Sequence, residues 1–256
     1  LVSISNSYDK KVIWSFINKY DQKLSPNNKE FDRLIDFALN YYNDGADELI
    51  FMDIVASLYN RNSLHDIIQS TCKNIFIPIT VGGGIRSVDD ALKIFDSGAD
   101  KISLNTKAVQ NPNLINILSK RFGSQSIVLS VEAKKISDKK WEPYIESGRE
   151  KTNLDAIEWI KKGSDLGAGE ILLTSVDMEG TCKGFDTELI NKVSNKISIP
   201  IIASGGFGEV KDLEKAYSAG ADSIAIGHML HYNKLNLRDI RKHALKSSIK
   251  VRKFAQ

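Results

Sequence analysis

The stretch Ile77-Pro-Ile-Thr-Val-Gly-Gly-Gly-Ile85 returns later in the chain as Ile199-Pro-Ile-Ile-Ala-Ser-Gly-Gly-Phe207. Ser97-Gly-Ala-Asp-Lys-Ile-Ser-Leu104 is matched in turn by Ala219-Gly-Ala-Asp-Ser-Ile-Ala-Ile226. One offset of 122 residues carries Pro78 to Pro200, Gly98 to Gly220, Gly45 to Gly167 and Glu48 to Glu170. Self-similarity over such a span marks a fold built from two equivalent halves.

Within each half, short apolar runs alternate with amphipathic stretches. Leu49-Ile-Phe-Met52, Pro78-Ile-Thr-Val81 and Lys101-Ile-Ser-Leu104 suit strands buried on both faces. Val88 to Ser97 gathers Ala91, Leu92, Ile94 and Phe95 on one side, the pattern of a surface helix. Gly-Ala pairs at Gly45, Gly98, Gly167 and Gly220 each stand just before a strand, where a left-handed glycine ends a helix. Eight strands are expected, near residues 2–6, 48–53, 77–81, 101–105, 126–132, 170–175, 199–203 and 223–227. Two matching halves of four βα units predict an α/β (β/α)8 TIM barrel over residues 1–256 as one domain. A doubly wound open sheet is the alternative.

Composition fits that reading. The 256 residues are 42% hydrophobic and 26% charged, an ordinary globular balance. The net charge of +3 is small, and the basic run from Lys246 to Lys253 contains no aromatic residue, so a nucleic-acid partner is not expected. No apolar run reaches membrane-span length and the N-terminus lacks a secretory pattern, which makes a cytoplasmic protein the expectation. Cys72 and Cys182 lie far apart and outside any CxxC pair, so neither a disulfide framework nor a zinc site is suggested. His228 and His231 are a spaced pair without a third ligand. Neither a metal nor a cofactor is implied.

Barrel active sites sit at the C-terminal ends of the strands. Gly83 and Gly84 follow the third strand, and Gly205 and Gly206 follow the seventh, at equivalent places in the two halves. Glycine lets an anion approach backbone N–H groups closely. Each pair is followed one strand later by a small or polar end, Asn105-Thr106 in one half and Gly227 in the other. Two phosphate sites on opposite sides of the mouth are expected, with Thr174 and Gly180 completing the set. Their substrate would be a small molecule with a phosphate at each end.

Carboxylates collect at the same strand ends: Asp53, Glu132, Asp177 and Glu179. Asp177 precedes a Gly-Thr turn and could equally be a helix cap. Glu132 closes the apolar strand Ile127-Val-Leu-Ser-Val131, where a carboxylate needs a partner or a task. At the opposite end, Glu48, Lys101 and Glu170 begin even-numbered strands, so they fall in one interior layer.

These residues resemble the cyclase subunit of imidazole glycerol phosphate synthase over nearly the whole chain. The resemblance is carried by Asp47-Glu-Leu-Ile-Phe-Met-Asp-Ile-Val-Ala-Ser57, Thr80-Val-Gly-Gly-Gly-Ile85, Gly98-Ala-Asp-Lys-Ile-Ser-Leu-Asn-Thr106, Gly167-Ala-Gly-Glu-Ile-Leu-Leu-Thr-Ser175 and Pro200-Ile-Ile-Ala-Ser-Gly-Gly206. It implies a lyase barrel in histidine biosynthesis that forms a heterodimer with a glutaminase docked at the N-terminal face. Ammonia would pass through the barrel interior to the phosphorylated substrate, with Glu48, Lys101 and Glu170 matching the charged gate of that channel.

The departures are specific. Alignment of Ile4-Ser5-Asn6 with the family's Cys-Leu-Asp segment puts Asn6 where a catalytic aspartate is expected. Glu132 and Glu179 replace aspartates, and Trp14 replaces a lysine of the first loop. An amide gains and loses no proton near neutral pH, so Asn6 could only contact substrate. Glu132 is then the main acid–base candidate, with Asp53, Asp177 and Glu179 around it. The chain also resembles paralogues that accompany an amidotransferase in making acetamidino sugars for surface glycans, through Gly148-Arg-Glu-Lys-Thr-Asn153 and Asp155-Ala-Ile-Glu-Trp159. The expected function is therefore an ammonia-using paralogue. The alternatives are a histidine-pathway cyclase and a silent conduit that only activates its glutaminase.

Overall fold

The computed structural model describes residues 2–4, 29–53, 65–249 and 251. Asn6 and Trp14 lie outside them. Strands β1 (Val2–Ile4), β2 (Leu49–Met52), β3 (Ile79–Gly82), β4 (Lys101–Leu104) and β5 (Ile127–Ser137) pair in sequence order. Strands β8 (Glu170–Ser175), β9 (Ile201–Ser204) and β10 (Ser223–Ala225) continue the order from β5. Every neighbour on this path is parallel. A doubly wound sheet would reverse its strand order at a switch point. Here no reversal occurs, and the curled sheet is that of a (β/α)8 barrel.

The helices lie between successive strands. The first half holds α1 (Lys29–Asn43), α2 (His65–Cys72), α3 (Val88–Asp96), α4 (Thr106–Gln110) and α5 (Asn113–Phe122). The second half holds α6 (Ala156–Asp165), α7 (Thr187–Ser194), α8 (Lys211–Ser218), α9 (His228–His231) and α10 (Leu237–Lys246). Among the described residues no helix is long and apolar enough to cross a membrane. The outer ring is drawn together across the ends of the chain. Tyr41 Oη lies 2.8 Å from His231 Nδ1, and Arg241 donates to Asp47 Oδ2 at 2.5 Å.

Burial follows the pleat. Leu49, Phe51, Ile102, Leu104, Ile171 and Leu173 belong to the large core shared with the helices. Their neighbours Ile50, Val128, Leu172, Ile202 and Ala225 form a second, smaller cluster of their own, on the other face of the sheet. Two buried faces explain why the strands read as continuous apolar runs rather than alternating ones.

The repeat extends to individual hydrogen bonds. Asp100 Oδ2 accepts from Ile79 N–H at 2.8 Å, and its mate Asp222 accepts from Ile201 N–H at the same distance. Asp90 Oδ2 accepts from Arg86 N–H at 3.0 Å, and Asp212 from Gly208 N–H at 3.1 Å. Gly98 (φ 104°) and Gly220 (φ 103°) end their helices in the left-handed region, as the Gly-Ala pairs predict. Ser87 caps α3 by accepting from Asp90 N–H, so the helix expected at Val88–Ser97 begins where it was placed.

One expectation is corrected. Strand five does not end at Glu132. It runs on to Ser137 and folds back through β6 (Lys140–Ile145) and β7 (Glu150–Lys151), both antiparallel, as a hairpin beyond the barrel rim. Trp141, fully buried, anchors this hairpin, and its Nε1–H donates to Asp186 Oδ2 at 2.9 Å. Glu142 is buried but satisfied, accepting from the N–H groups of Thr152 (3.1 Å) and Asn153 (2.6 Å).

Candidate active site at the barrel mouth

The interior is best followed from its N-terminal end. There the three gate candidates meet. Lys101 Nζ lies 3.0 Å from Glu48 Oε2 and 2.6 Å from Glu170 Oε1, and Thr80 Oγ1 donates to Glu48 Oε1 at 2.5 Å. Burial works against the Lys101 charge, yet Glu170 and Glu48 outweigh it and hold its pKa above the ordinary lysine value. Burial raises Glu170 in spite of Lys101, and Glu170 Oε2 has no partner among the described residues. Among the described residues a single cation is shared by two carboxylates. Above it, the Ile50, Val128, Leu172, Ile202 and Ala225 cluster lines the interior, and the buried Ser103 hydroxyl has no partner among the described residues.

At the other end, Glu132 is the third inward residue of β5, after Val128 and Ser130. Burial pushes its carboxyl up to about 7, a Gly148 N–H bond opposes the rise, and Oε2 has no partner among the described residues. Glu179, just beyond β8, is also raised to about 7, first by burial and then by the Glu132 charge. Two carboxyls poised near neutrality can exchange protons with a substrate at physiological pH, which an ordinary glutamate does poorly. Thr174 pairs in register with both Glu132 and Ser204, which puts it between these carboxyls and β9.

Asp177 is held elsewhere. Its carboxylate accepts the Lys135 N–H at 2.7 Å, tying the loop after β8 to the extended part of β5. It caps no helix, and this bond is a structural use for the group. Asp53 follows β2, and its N–H donates to Gly82 O at 2.9 Å. A Cβ on Gly83 would run into the Asp53 carbonyl, so only glycine fits that approach.

The two glycine sites differ in what covers them. In the first half, Asn105 Nδ2 donates to Tyr144 O at 3.3 Å and Thr106 Oγ1 accepts from Glu146 N–H at 3.1 Å. The hairpin therefore sits on Asn105 and Thr106, while Gly84 remains in the loop beside Gly83. In the second half, Glu179, Gly180, Gly205, Gly206, Gly227 and His228 line one open pocket. A Cβ on Gly206 would meet the Gly184 carbonyl, again fixing the residue type.

Sequence reasoning did not place His228 here or foresee the hairpin bonds. The internal offset carries a signal for the first, since His228 is the repeat mate of Thr106 and Gly227 that of Asn105.

Comparison with known proteins agrees with this architecture. A family model described as histidine biosynthesis protein matches residues 18–236. The chain is 56% identical over 177 residues to imidazole glycerol phosphate synthase subunit HisF of Legionella pneumophila, an alignment covering 69% of this chain and 84% of that one. HisF of Endomicrobium trichonymphae is 42% identical over 220 residues, with 86% of this chain and 85% of the relative aligned. HisF of Prochlorococcus marinus (strain MIT 9312) is 45% identical over 223 residues, with 86% and 87% aligned. With the family model spanning most of the chain and identity well above 30%, the protein belongs to the family of imidazole glycerol phosphate synthase HisF subunits.

Proposed function

We propose that the chain is an ammonia-using cyclase-type subunit whose mouth has been altered to amidinate a phosphorylated sugar of surface-glycan synthesis. The observation that carries the reading is one interior with chemistry at both ends. A shared-cation layer of Glu48, Lys101 and Glu170 lies at the N-terminal face, and two carboxyls poised near pH 7 lie at the mouth.

In this reading a separate glutaminase docks at the N-terminal face and forms a heterodimer. Phe76, 79% exposed just before β3, offers that face an apolar anchor. Ammonia is small and neutral, so it crosses the apolar interior cluster at little desolvation cost, whereas ammonium does not. The substrate spans the mouth with one phosphate at Gly83, Gly84, Asn105 and Thr106 and the other at Gly180, Gly205, Gly206 and Gly227, beside Thr174. Glu132 moves the proton at the reacting carbon and Glu179 holds the complementary state. Asp53 and Asp177 shape the rim, and Asn6 contacts substrate.

The altered acid–base set favours the paralogue over the histidine-pathway cyclase. Asn6 stands where the resemblance expects an acid, and Glu132 and Glu179 are each about one methylene longer than the expected aspartates, a displacement that matters in a tuned site. The test is turnover of the open ribulosyl precursor of imidazole glycerol phosphate with excess ammonium salt and no glutaminase. The expected result is none in a folded sample, unrescued by Asn6→Asp. Ordinary turnover abolished by Glu132→Gln would instead establish a histidine-pathway cyclase.

A further inference from the structure

The turn between β6 and β7 is bent further than a hairpin requires. Glu146 (φ 51°), Ser147 (φ 58°) and Gly148 (φ 74°) are three successive residues in the left-handed region. Ile145 pairs with Glu150, so residues 146–149 close the loop. Loops of that length are usually built on a type I turn, whose central residues are right-handed. Left-handed residues with side chains persist where their surroundings hold them, and they gather at functional sites. Here the surroundings are the barrel mouth. The Glu146 N–H donates to Thr106 Oγ1 at 3.1 Å, and the Gly148 N–H bonds the Glu132 carboxyl.

This bond makes the two oxygens of Glu132 unequal. Oε2 is buried and has no partner among the described residues, so the Gly148 bond falls on Oε1. An N–H bonds best to the oxygen that keeps its lone pairs, so the proton of a neutral Glu132 resides on Oε2. The packing is close on that side too. A Cβ on Gly148 would lie 3.5 Å from Glu132 Oε2, which sets the backbone of the turn directly against the carboxyl.

We infer that Gly148 is a positioning residue for the acid–base step, its backbone N–H holding Glu132 Oε1 so that Oε2 carries the proton. This rests on the reading of Glu132 as the acid–base group. When Oε2 gives its proton to substrate, the negative charge spreads over both oxygens and the Gly148 bond becomes charge-assisted. When Oε2 takes a proton back, the carboxyl is neutral and the bond weakens. The turn thus stabilises the charged form as it appears, without competing for the oxygen that reacts. Thr106 anchors the same turn from the end of β4.

The charged groups around Glu132 leave this task to the N–H. Glu179, beyond β8, is a like charge whose own pKa Glu132 raises. Asp177, in the same loop, is engaged with the Lys135 N–H. Lys134, two residues further along β5, stands over the Tyr144 ring with Nζ 5.4 Å from its centroid. Within the turn, Arg149 is exposed and Glu146 carries the wrong sign. Among the described residues, the Gly148 N–H is what opposes the effect of burial on Glu132.

The test is a pH titration of the isotopically labelled full chain, read by NMR on the Glu132 carboxyl carbon and the Gly148 amide. In wild type the carbon is expected to titrate at about 7, and the Gly148 amide to follow with the same midpoint. A coupling through the hydrogen bond, from the Gly148 nitrogen to the Glu132 carboxyl carbon, should be present above that midpoint and weaken below it. Gly148→Ala, strained at a left-handed φ, should break the bond and raise the Glu132 midpoint by roughly one pH unit. Gly148→Asn, which adopts that conformation more readily, should restore most of the difference. In wild type, a carbon that titrates near neutrality while the Gly148 amide stays still would overturn the inference and leave Glu132 as the acid–base group. A carbon that titrates in the ordinary glutamate range, about 4.3, would remove that reading and the inference together. Because the wild-type signals decide, a variant that fails to fold does not blunt the test.

Discussion

The two halves of the barrel share a framework down to single hydrogen bonds and part company at the mouth. Asp100 and Asp222, Asp90 and Asp212, and the carbonyls of Pro78 and Pro200 make equivalent bonds 122 residues apart. At the rim, Asn105 and Thr106 are bonded to the β5–β6 hairpin, while Gly227 and His228 face an open pocket. At the opposite end, Lys101 holds two carboxylates where its mate Ser223 makes no ion pair among the described residues. The shared bonds fix strand ends and loop entries, which any half-barrel needs. The differing residues lie where the interior opens, which is where ligand chemistry breaks the symmetry.

The largest difference expected from this comparison is at the N-terminal end. Lys101→Met leaves Glu48 and Glu170 without their shared cation; breaking a fully buried pair from one side costs about 3–5 kcal/mol, and this part-buried layer should lose less than that but well over about 0.5 kcal/mol. Ser223→Ala at the equivalent position should change stability by less than about 0.5 kcal/mol. Urea unfolding at pH 8 measures both. The Lys101→Met penalty should shrink as pH falls, because Glu170, raised by burial, takes up a proton more readily than an ordinary glutamate. Equal small effects at both positions would mean that the layer is solvated and does not form a gate.

Glu132→Gln should act in the opposite direction. Below pH 4.5 the carboxyl is neutral whether folded or unfolded, and the substitution changes little. Between pH 4.5 and 7 the unfolded chain ionises while the buried group, raised to about 7, resists, so wild-type stability falls with rising pH. Above pH 7 the difference is complete, on the order of 3 kcal/mol from the size of the shift. Glutamine does not ionise, so the variant should be more stable than wild type at pH 8 and equal to it at pH 4. It should also lower the Glu179 pKa by removing a neighbouring charge. A gain in stability with a loss of turnover would mark Glu132 as a group kept for chemistry. A loss of stability at pH 8 would show that its carboxylate is needed structurally.

The framework was legible because it depends on local and periodic signals. The repeat, the apolar runs and the Gly-Ala helix ends predicted the strand positions, and the even-strand rule predicted that Glu48, Lys101 and Glu170 would meet. The hairpin was missed although its signal is present. Ser137-Asp-Lys-Lys140 is a turn between two runs, and Trp141, Pro143 and Ile145 alternate after it. An expectation of eight strands left no room for it. Asp177 was read as a cap or a catalyst because its partner, the Lys135 N–H, exists only once β5 overruns the rim. His228 was weighed as a metal ligand and set aside, since its place in the second-half pocket is seen only once the chain is folded. Asn6 lies outside the described residues, and its role rests on alignment alone.

The smallest effect concerns the covered half. Thr106→Val keeps the side-chain volume and removes the acceptor for the Glu146 N–H, a bond worth about 1 kcal/mol. The loss should be local. Amide exchange should speed up at Glu146 and Gly148, while β9 and the second-half pocket keep their protection. Because Gly148 also donates to Glu132, loosening this turn should let the Glu132 pKa rise further and move the acid limb of any rate profile upward. The same change made at the repeat mate, His228→Val, should leave hairpin exchange untouched. If Thr106→Val altered neither exchange nor the Glu132 pKa, the hairpin would be a lid resting on the rim rather than a strap that ties one phosphate site to the acid–base group.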